Sequence, residues 1–164
     1  WPITGRRLAL LGRLPHLGPL SSETAHDRAI VDQILREVDA DSFADRPVTQ
    51  LSGGEMARIW LARALAVEAP LLLADEPIAA LDPAHQLATM GLFEGLAKQG
   101  RGVLAVLHDL SLAARSCDRL IMMDQGRVIA DGKPDQVLTP DRVAAVYKVR
   151  LVRDDVGGVC LQSL

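Results

Sequence analysis

Cysteine is scarce: Cys117 and Cys160 lie far apart and fit no metal or redox spacing, so they read as ordinary thiols and favour a reducing compartment. An excess of positive charge is also missing. Lys+Arg 18 against Asp+Glu 21 gives a net charge of -3, no basic block stands out, and nucleic acid is not expected as a partner. No apolar run approaches the roughly 18 residues that would span a bilayer, and no charged-then-apolar leader opens the chain, so direct membrane insertion is not expected. Internal repeats and low-complexity segments are absent. The start, Trp1-Pro2-Ile3-Thr4, lacks an initiator Met and reads as the middle of a longer chain, so a fragment is expected. What is present is apolar substance: 49% of the 164 residues are hydrophobic, enough for one ordinary domain with a core.

The hydrophobic pattern alternates between helical and strand periods. A short helix is predicted from Thr4 to about Arg13, followed by a loop broken by Pro15, Gly18 and Pro19. Ile30, Val31, Ile34, Leu35 and Val38 recur at helical spacing among charged residues and predict an amphipathic helix over 24–39. Three short apolar runs, LLLAD (71–75), VLAVL (103–107) and RLIMMD (119–124), are separated by helical stretches 83–99 and 109–116. That order predicts a parallel sheet with covering helices. Asp124-Gln125-Gly126-Arg127 turns the chain into VIADG, a hairpin strand at the sheet margin. Short helices near 134–138 and 140–147 follow. The tail 148–164 is weakly patterned, with a turn expected at Gly157-Gly158.

Two stretches carry chemistry. Ser52-Gly53-Gly54-Glu55 stands before a helix holding Ile59, Leu61, Ala62 and Leu65, so its N–H groups sit at a helix N-terminus that can bind an anion. The glycines allow close approach of a bulky anion and Ser52 adds a hydroxyl. Taken alone, the same residues also make a plain loop and N-cap. Asp75-Glu76 ends a buried strand pattern, at the end where open parallel sheets place ligands. Asp75 there can hold Mg²⁺, directly or through water, and Glu76 can polarise an attacking water. Asp82 is placed to N-cap a helix that begins with Pro83.

Taken together, these residues resemble the ATP-binding cassette (ABC) ATPases. Leu51-Ser52-Gly53-Gly54-Glu55 is similar to the family's signature motif, 71–76 to its Walker B strand with the catalytic glutamate, Ala80-Leu81-Asp82 to its D-loop, and His108 to its switch histidine. The resemblance covers roughly residues 1–147. It implies an α/β fold, an incomplete parallel sheet core of the P-loop NTPase kind with part of the ABC helical subdomain. Residues 1–50 would be mostly helical subdomain, 51–147 the signature, Walker B, D-loop and switch core, and 148–164 a C-terminal tail. It also implies ATP and Mg²⁺ as cofactors, with Glu76 and His108 catalytic, Asp75 on the metal, and Ser52, Gly53, Gly54, Glu55 and Asp82 at the nucleotide. Family topology would put a phosphate-loop strand between VLAVL and RLIMMD.

A phosphate-cradling G-x-x-x-x-G-K-[ST] run occurs nowhere in the 164 residues, nor does an upstream adenine-stacking aromatic or a glutamine loop. The expectation is an N-terminally truncated ATPase, inactive alone. In the family two such subunits pair head to tail, so Ser52, Gly53 and Gly54 would touch ATP in trans. Integral membrane permease subunits would contact the region 1–35, which places the protein peripherally on the cytoplasmic face of the inner membrane. WPITGRRLALLGRLPHLG and GRVIADGKPDQVLTPDRVAAVY resemble the importers of iron-siderophores, haem and cobalamin. Another ABC transporter class and a translation-associated ABC protein remain the alternatives.

Overall fold

The computed structural model describes residues 3–18, 21–153 and 158–163. Trp1-Pro2, Pro19 and Gly157 of the expected Gly157-Gly158 turn lie outside the described residues. The chain divides into two compact units, Trp1–Val106 and Leu107–Leu164.

In the first unit three helices form a core. Helix α1 (Gly5–Leu10) starts at Thr4, whose hydroxyl accepts from the Arg7 N–H, and continues as a 3₁₀ segment, Leu11–His16, through Pro15. The sequence predicted one helix to about Arg13; the tighter turn carries the chain further because a proline's missing N–H costs little at such an end. Helix α2 (Ala25–Glu37) opens on a capping box, Thr24 with Asp27, and buries Val31, Ile34 and Leu35. Helix α3 (Gly53–Leu65) buries Ile59, Ala62 and Leu65 against α1 and α2. Each large apolar side chain so buried stabilises the unit by about 1.5–3 kcal/mol. Gly12 lets the 3₁₀ segment run against α3: a Cβ there would collide with the Arg63 carbonyl. Arg13, buried beside it, donates from Nε to Asp27 at 2.9 Å and from Nη1 to the Ala66 carbonyl at 2.8 Å.

Strand β1 (Leu71–Asp75) then pairs in parallel with β2 (Gly102–Val106), joined through α4 (Pro83–Lys98). The register sets Leu73 beside Leu104 and Asp75 beside Val106. β1 coincides with the predicted run, and β2 starts one residue earlier than predicted.

In the second unit α5 (Leu110–Ser116) precedes β3 (Leu120–Asp124), which pairs antiparallel with β4 (Arg127–Gly132). Gln125 (φ 46°) and Gly126 (φ 74°) make the two-residue turn between them, both left-handed as such a hairpin needs. Helices α6 (Pro134–Val137) and α7 (Pro140–Tyr147) fall where predicted. The tail differs from expectation: β5 (Val149–Arg153) and β6 (Val159–Ser163) form an antiparallel pair, with Leu151 and Val159 buried among Leu110, Met122, Val137, Leu138 and Val143. The three predicted strands also do not share one sheet. Among the described residues there are three two-stranded sheets, and only β1–β2 is parallel. Among the described residues β3 takes all its strand partners from β4.

Candidate functional site

The Ser52 turn and the Asp82 turn meet in the first unit around a pocket of about 130 Å³ lined by Ser52, Gly54, Glu55, Arg58, Ala80, Leu81, Asp82 and His85. Ser52 caps α3: its hydroxyl oxygen accepts from the Glu55 N–H at 3.3 Å, while Glu55 Oε2 accepts from the Ser52 N–H at 2.8 Å. This reciprocal cap uses a lone pair of the Ser52 hydroxyl. The Ser52 N–H, then the Arg46 guanidinium, hold the Glu55 carboxyl below the ordinary carboxylate range. Glu55 is therefore an ionised brace of the turn.

The two glycines differ. A Cβ on Gly54 would lie 3.2 Å from the Ala80 carbonyl oxygen, so Gly54 allows the Ala80-Leu81-Asp82 turn to lie against the helix start. A Cβ on Gly53 would meet nothing within 4 Å. Nothing within its own chain requires a glycine there, which leaves the face of the first turn open to an outside group. The N–H groups of Gly53 and Gly54, in the first turn of α3, have no carbonyl one turn back.

Asp75 and Glu76 are both exposed at the carboxyl end of β1. Glu76 has φ 46°, left-handed for a residue with a bulky side chain, a conformation that costs of order 1–3 kcal/mol and clusters at functional sites. The turn that follows is pinned by Ala79 N–H on the Glu76 carbonyl (3.2 Å) and Leu81 N–H on the Ile78 carbonyl (3.1 Å). Asp82 caps α4, accepting from the His85 N–H at 3.0 Å, while its other oxygen faces His85 Nδ1 at 2.7 Å. The His85 backbone and then its ring hold Asp82 below the ordinary carboxylate range.

Both carboxylate oxygens of Asp82 are thus committed to its own helix start. His108 lies in the second unit, exposed in the bend before Asp109, which caps α5. The structure thus brings Ser52, Gly54, Glu55 and Asp82 around one pocket, with Gly53 on the adjoining open face. Asp75 and Glu76 stand one turn of chain upstream of Asp82 in the same unit.

Among the described residues no group of three His, Cys, Asp or Glu could hold a metal ion by itself. An oxygen-seeking cation at the Asp75 carboxylate would therefore take its remaining ligands from water and phosphate oxygens, which is how Mg²⁺ is ordinarily held with nucleotides. The residues present fit that group and an anion at the first turn of α3.

Three residues were not foreseen. Gln86 donates from Nε2 to the Ile78 (3.2 Å) and Leu81 (3.1 Å) carbonyls and clamps the D-loop from behind. Arg58 pairs with Asp39 at 3.1 Å, contacts His85, and stacks over Phe43 at 4.9 Å. His85 links Asp82 to this arginine. The Asp82/His85 spacing of three residues is a legible capping signal; the approach of Arg58 is a tertiary contact that no local pattern announces. His16 meets the Val67 carbonyl at 2.8 Å through Nε2.

The ABC transporter family model matches residues 1–79. The chain is 46% identical over 149 residues to a cobalamin import ATP-binding protein of Halobacterium salinarum, covering 90% of this chain and 37% of that protein. It is 42% identical over 160 residues to a hemin import ATP-binding protein of Rhodococcus jostii, covering 96% and 54%. The chain thus spans about half, or less, of the length of these relatives. A solved ABC transporter in an inward-facing conformation shares the fold at TM-score 0.83 and 23% identity, over 99% of this chain and 66% of that one. A dimeric ATP-binding cassette bound to ADP and Pi aligns at TM-score 0.66 and 30% identity, over 77% and 56%. By these matches the chain belongs to the ABC transporter family.

Proposed function

We propose that the protein carrying this segment is the ATP-hydrolysing subunit of an ABC importer for an iron-siderophore, haem or cobalamin-type substrate. The observation that carries the reading is the pocket where the signature turn meets the D-loop, flanked by a Gly53 face that its own chain leaves open. Names of the relatives support the importer class and its substrates. The dimeric neighbour supports a second ATPase subunit, across which Ser52, Gly53 and Gly54 meet the nucleotide of the partner. Glu55 braces the signature turn and Asp82 shapes the D-loop beside the nucleotide. Integral permease subunits would dock on the helical region 1–35, and the protein would lie peripherally at the cytoplasmic face of the inner membrane. No helix among the described residues is long and apolar enough to cross a membrane. Residues 1–50 then serve as helical subdomain, 51–147 as the signature-to-switch core and 148–164 as the tail hairpin.

Roles divide by chemistry. Bound Mg²⁺ supplies charge neutralisation at the phosphates, and Asp75 is the residue that would hold it. Glu76 orients the attacking water and takes its proton, and His108 steadies the γ-phosphate. The 164 residues contain no G-x-x-x-x-G-K-[ST] loop, so the chain alone would bind ATP weakly and not turn it over.

In the longer protein, Glu76→Gln keeps size and hydrogen bonding and removes the base. ATP binding should persist while turnover falls by roughly two to four powers of ten. Asp75→Asn should instead weaken Mg²⁺-dependent nucleotide binding. Turnover by Glu76→Gln within about threefold of the parent, worth only about 0.6 kcal/mol in barrier, would falsify the base assignment.

A further inference from the structure

Arg58 lies on α3, one helical turn beyond Gly54, with its side chain 13% exposed. Its Nη1 meets Asp39 Oδ2 at 3.1 Å and also His85 Nε2. On the other side of the ring, His85 Nδ1 faces Asp82 Oδ2 at 2.7 Å. A guanidinium has only donors, so an imidazole nitrogen facing it must accept. Of the two groups that face Nε2, Arg58 is nearer than Asp39 Oδ2 at 3.4 Å, so the arrangement favours a neutral ring with its proton on Nδ1, donated to Asp82. One imidazole thereby links the helix that begins with the signature turn to the carboxylate that shapes the D-loop.

We propose that His85, held as the Nδ1–H tautomer between Arg58 and Asp82, is a positioning residue that locks the signature turn to the D-loop. The functional half of this proposal rests on reading the pocket as a nucleotide site; the tautomer does not. The charged groups around the ring are Asp39 from the end of α2, Arg58 and Glu55 from α3, and Asp82 from its own turn. Asp39 Oδ2 lies 3.4 Å from the same Nε2, farther than the Arg58 guanidinium.

The tautomer is read directly by long-range proton–nitrogen NMR on the histidine-labelled 164-residue chain, which holds four histidines. His85→Gln assigns the signal, or, should that variant not fold, His16→Gln, His26→Gln and His108→Gln assign it by elimination. Protonated Nδ1 with unprotonated Nε2 at neutral pH is expected; an Nε2–H tautomer or an imidazolium there overturns the proposal whatever the nucleotide chemistry proves to be.

In the longer protein, ATP turnover is followed at neutral pH. His85→Leu should lower kcat about tenfold at neutral pH, the usual scale of coupling between touching elements, with a smaller change in KM. His85→Gln, which can still accept from Arg58, should recover part of that loss. His85→Leu turning over like the parent, or His85→Gln recovering nothing relative to His85→Leu, overturns the positioning role. Failure of the Glu76 test alone would sink the nucleotide reading and leave the NMR result standing.

Discussion

Two adjacent glycines in the signature turn answer to different forces, and single methyl groups separate them. At Gly54 a Cβ presses on the Ala80 carbonyl, backbone that gives little, so Gly54→Ala should destabilise the isolated chain by about 1–3 kcal/mol. At Gly53 the space is empty and the residue opens a helix, where alanine is preferred to glycine by up to about 1 kcal/mol. Gly53→Ala should therefore leave the chain as stable as the parent or slightly more so in urea unfolding, yet lower ATP turnover in the longer protein, because the methyl stands where an outside group approaches. A Gly53→Ala variant that is destabilised in isolation would mean the glycine serves its own fold. The sequence showed both glycines as one motif. Their separate reasons became visible only when Ala80, distant in sequence, was placed against one of them. Glu76 is similar: its acid chemistry was legible, its left-handed backbone was not, since nothing in Asp-Glu-Pro demands a positive φ.

Elements with strong local signals were legible nearly to the residue. α2 carried its apolar stripe, β1 its apolar run, and α4 its Asp-Pro start, each a property of neighbours in sequence. The β5–β6 hairpin was missed because Val149, Leu151 and Val159 give too short an alternation, and it is burial against α5 and α7 that makes these segments strands. The capping box of α2 also couples an element to pH. Asp27 accepts from the Thr24 hydroxyl and the Thr24 N–H, and pairs with the buried Arg13; these, in that order, push its carboxyl well below the ordinary range. A depressed folded-state value contributes stability that is present above the unfolded carboxylate range and is lost as pH falls through the folded one. The urea midpoint of the chain should thus fall on acidification below about pH 4. Asp27→Asn should lower the midpoint at pH 7 and flatten that decline. An equally steep acid decline in Asp27→Asn would place the pH sensitivity in other carboxylates.

At the scale of the whole molecule, the sheet core is the part least like a finished globule. Parallel strands are ordinarily covered on both faces. In β1–β2 one face is covered, with Leu72 only 7% exposed, whereas on the other Leu71, Leu73, Leu104 and Val106 are each more than half exposed. Sequence periodicity expected burial throughout this run, and could not indicate that only one face would find a covering layer within these residues. Exposed apolar patches of a few hundred Å² mark surfaces that take a partner. Here the patch lies on a two-stranded sheet, an arrangement only marginally stable without further packing. The 164-residue chain should therefore self-associate, its sedimentation coefficient rising with protein concentration and falling back in mild denaturant. Leu73 and Leu104 face each other across the strand pair, so Leu73→Lys combined with Leu104→Lys puts two like charges on the patch without touching the helical core. That double variant should stay monomeric with unchanged helical circular dichroism. A parent chain that remains monomeric at high concentration, or a double variant that associates as strongly as the parent, would show that this face is not what drives association.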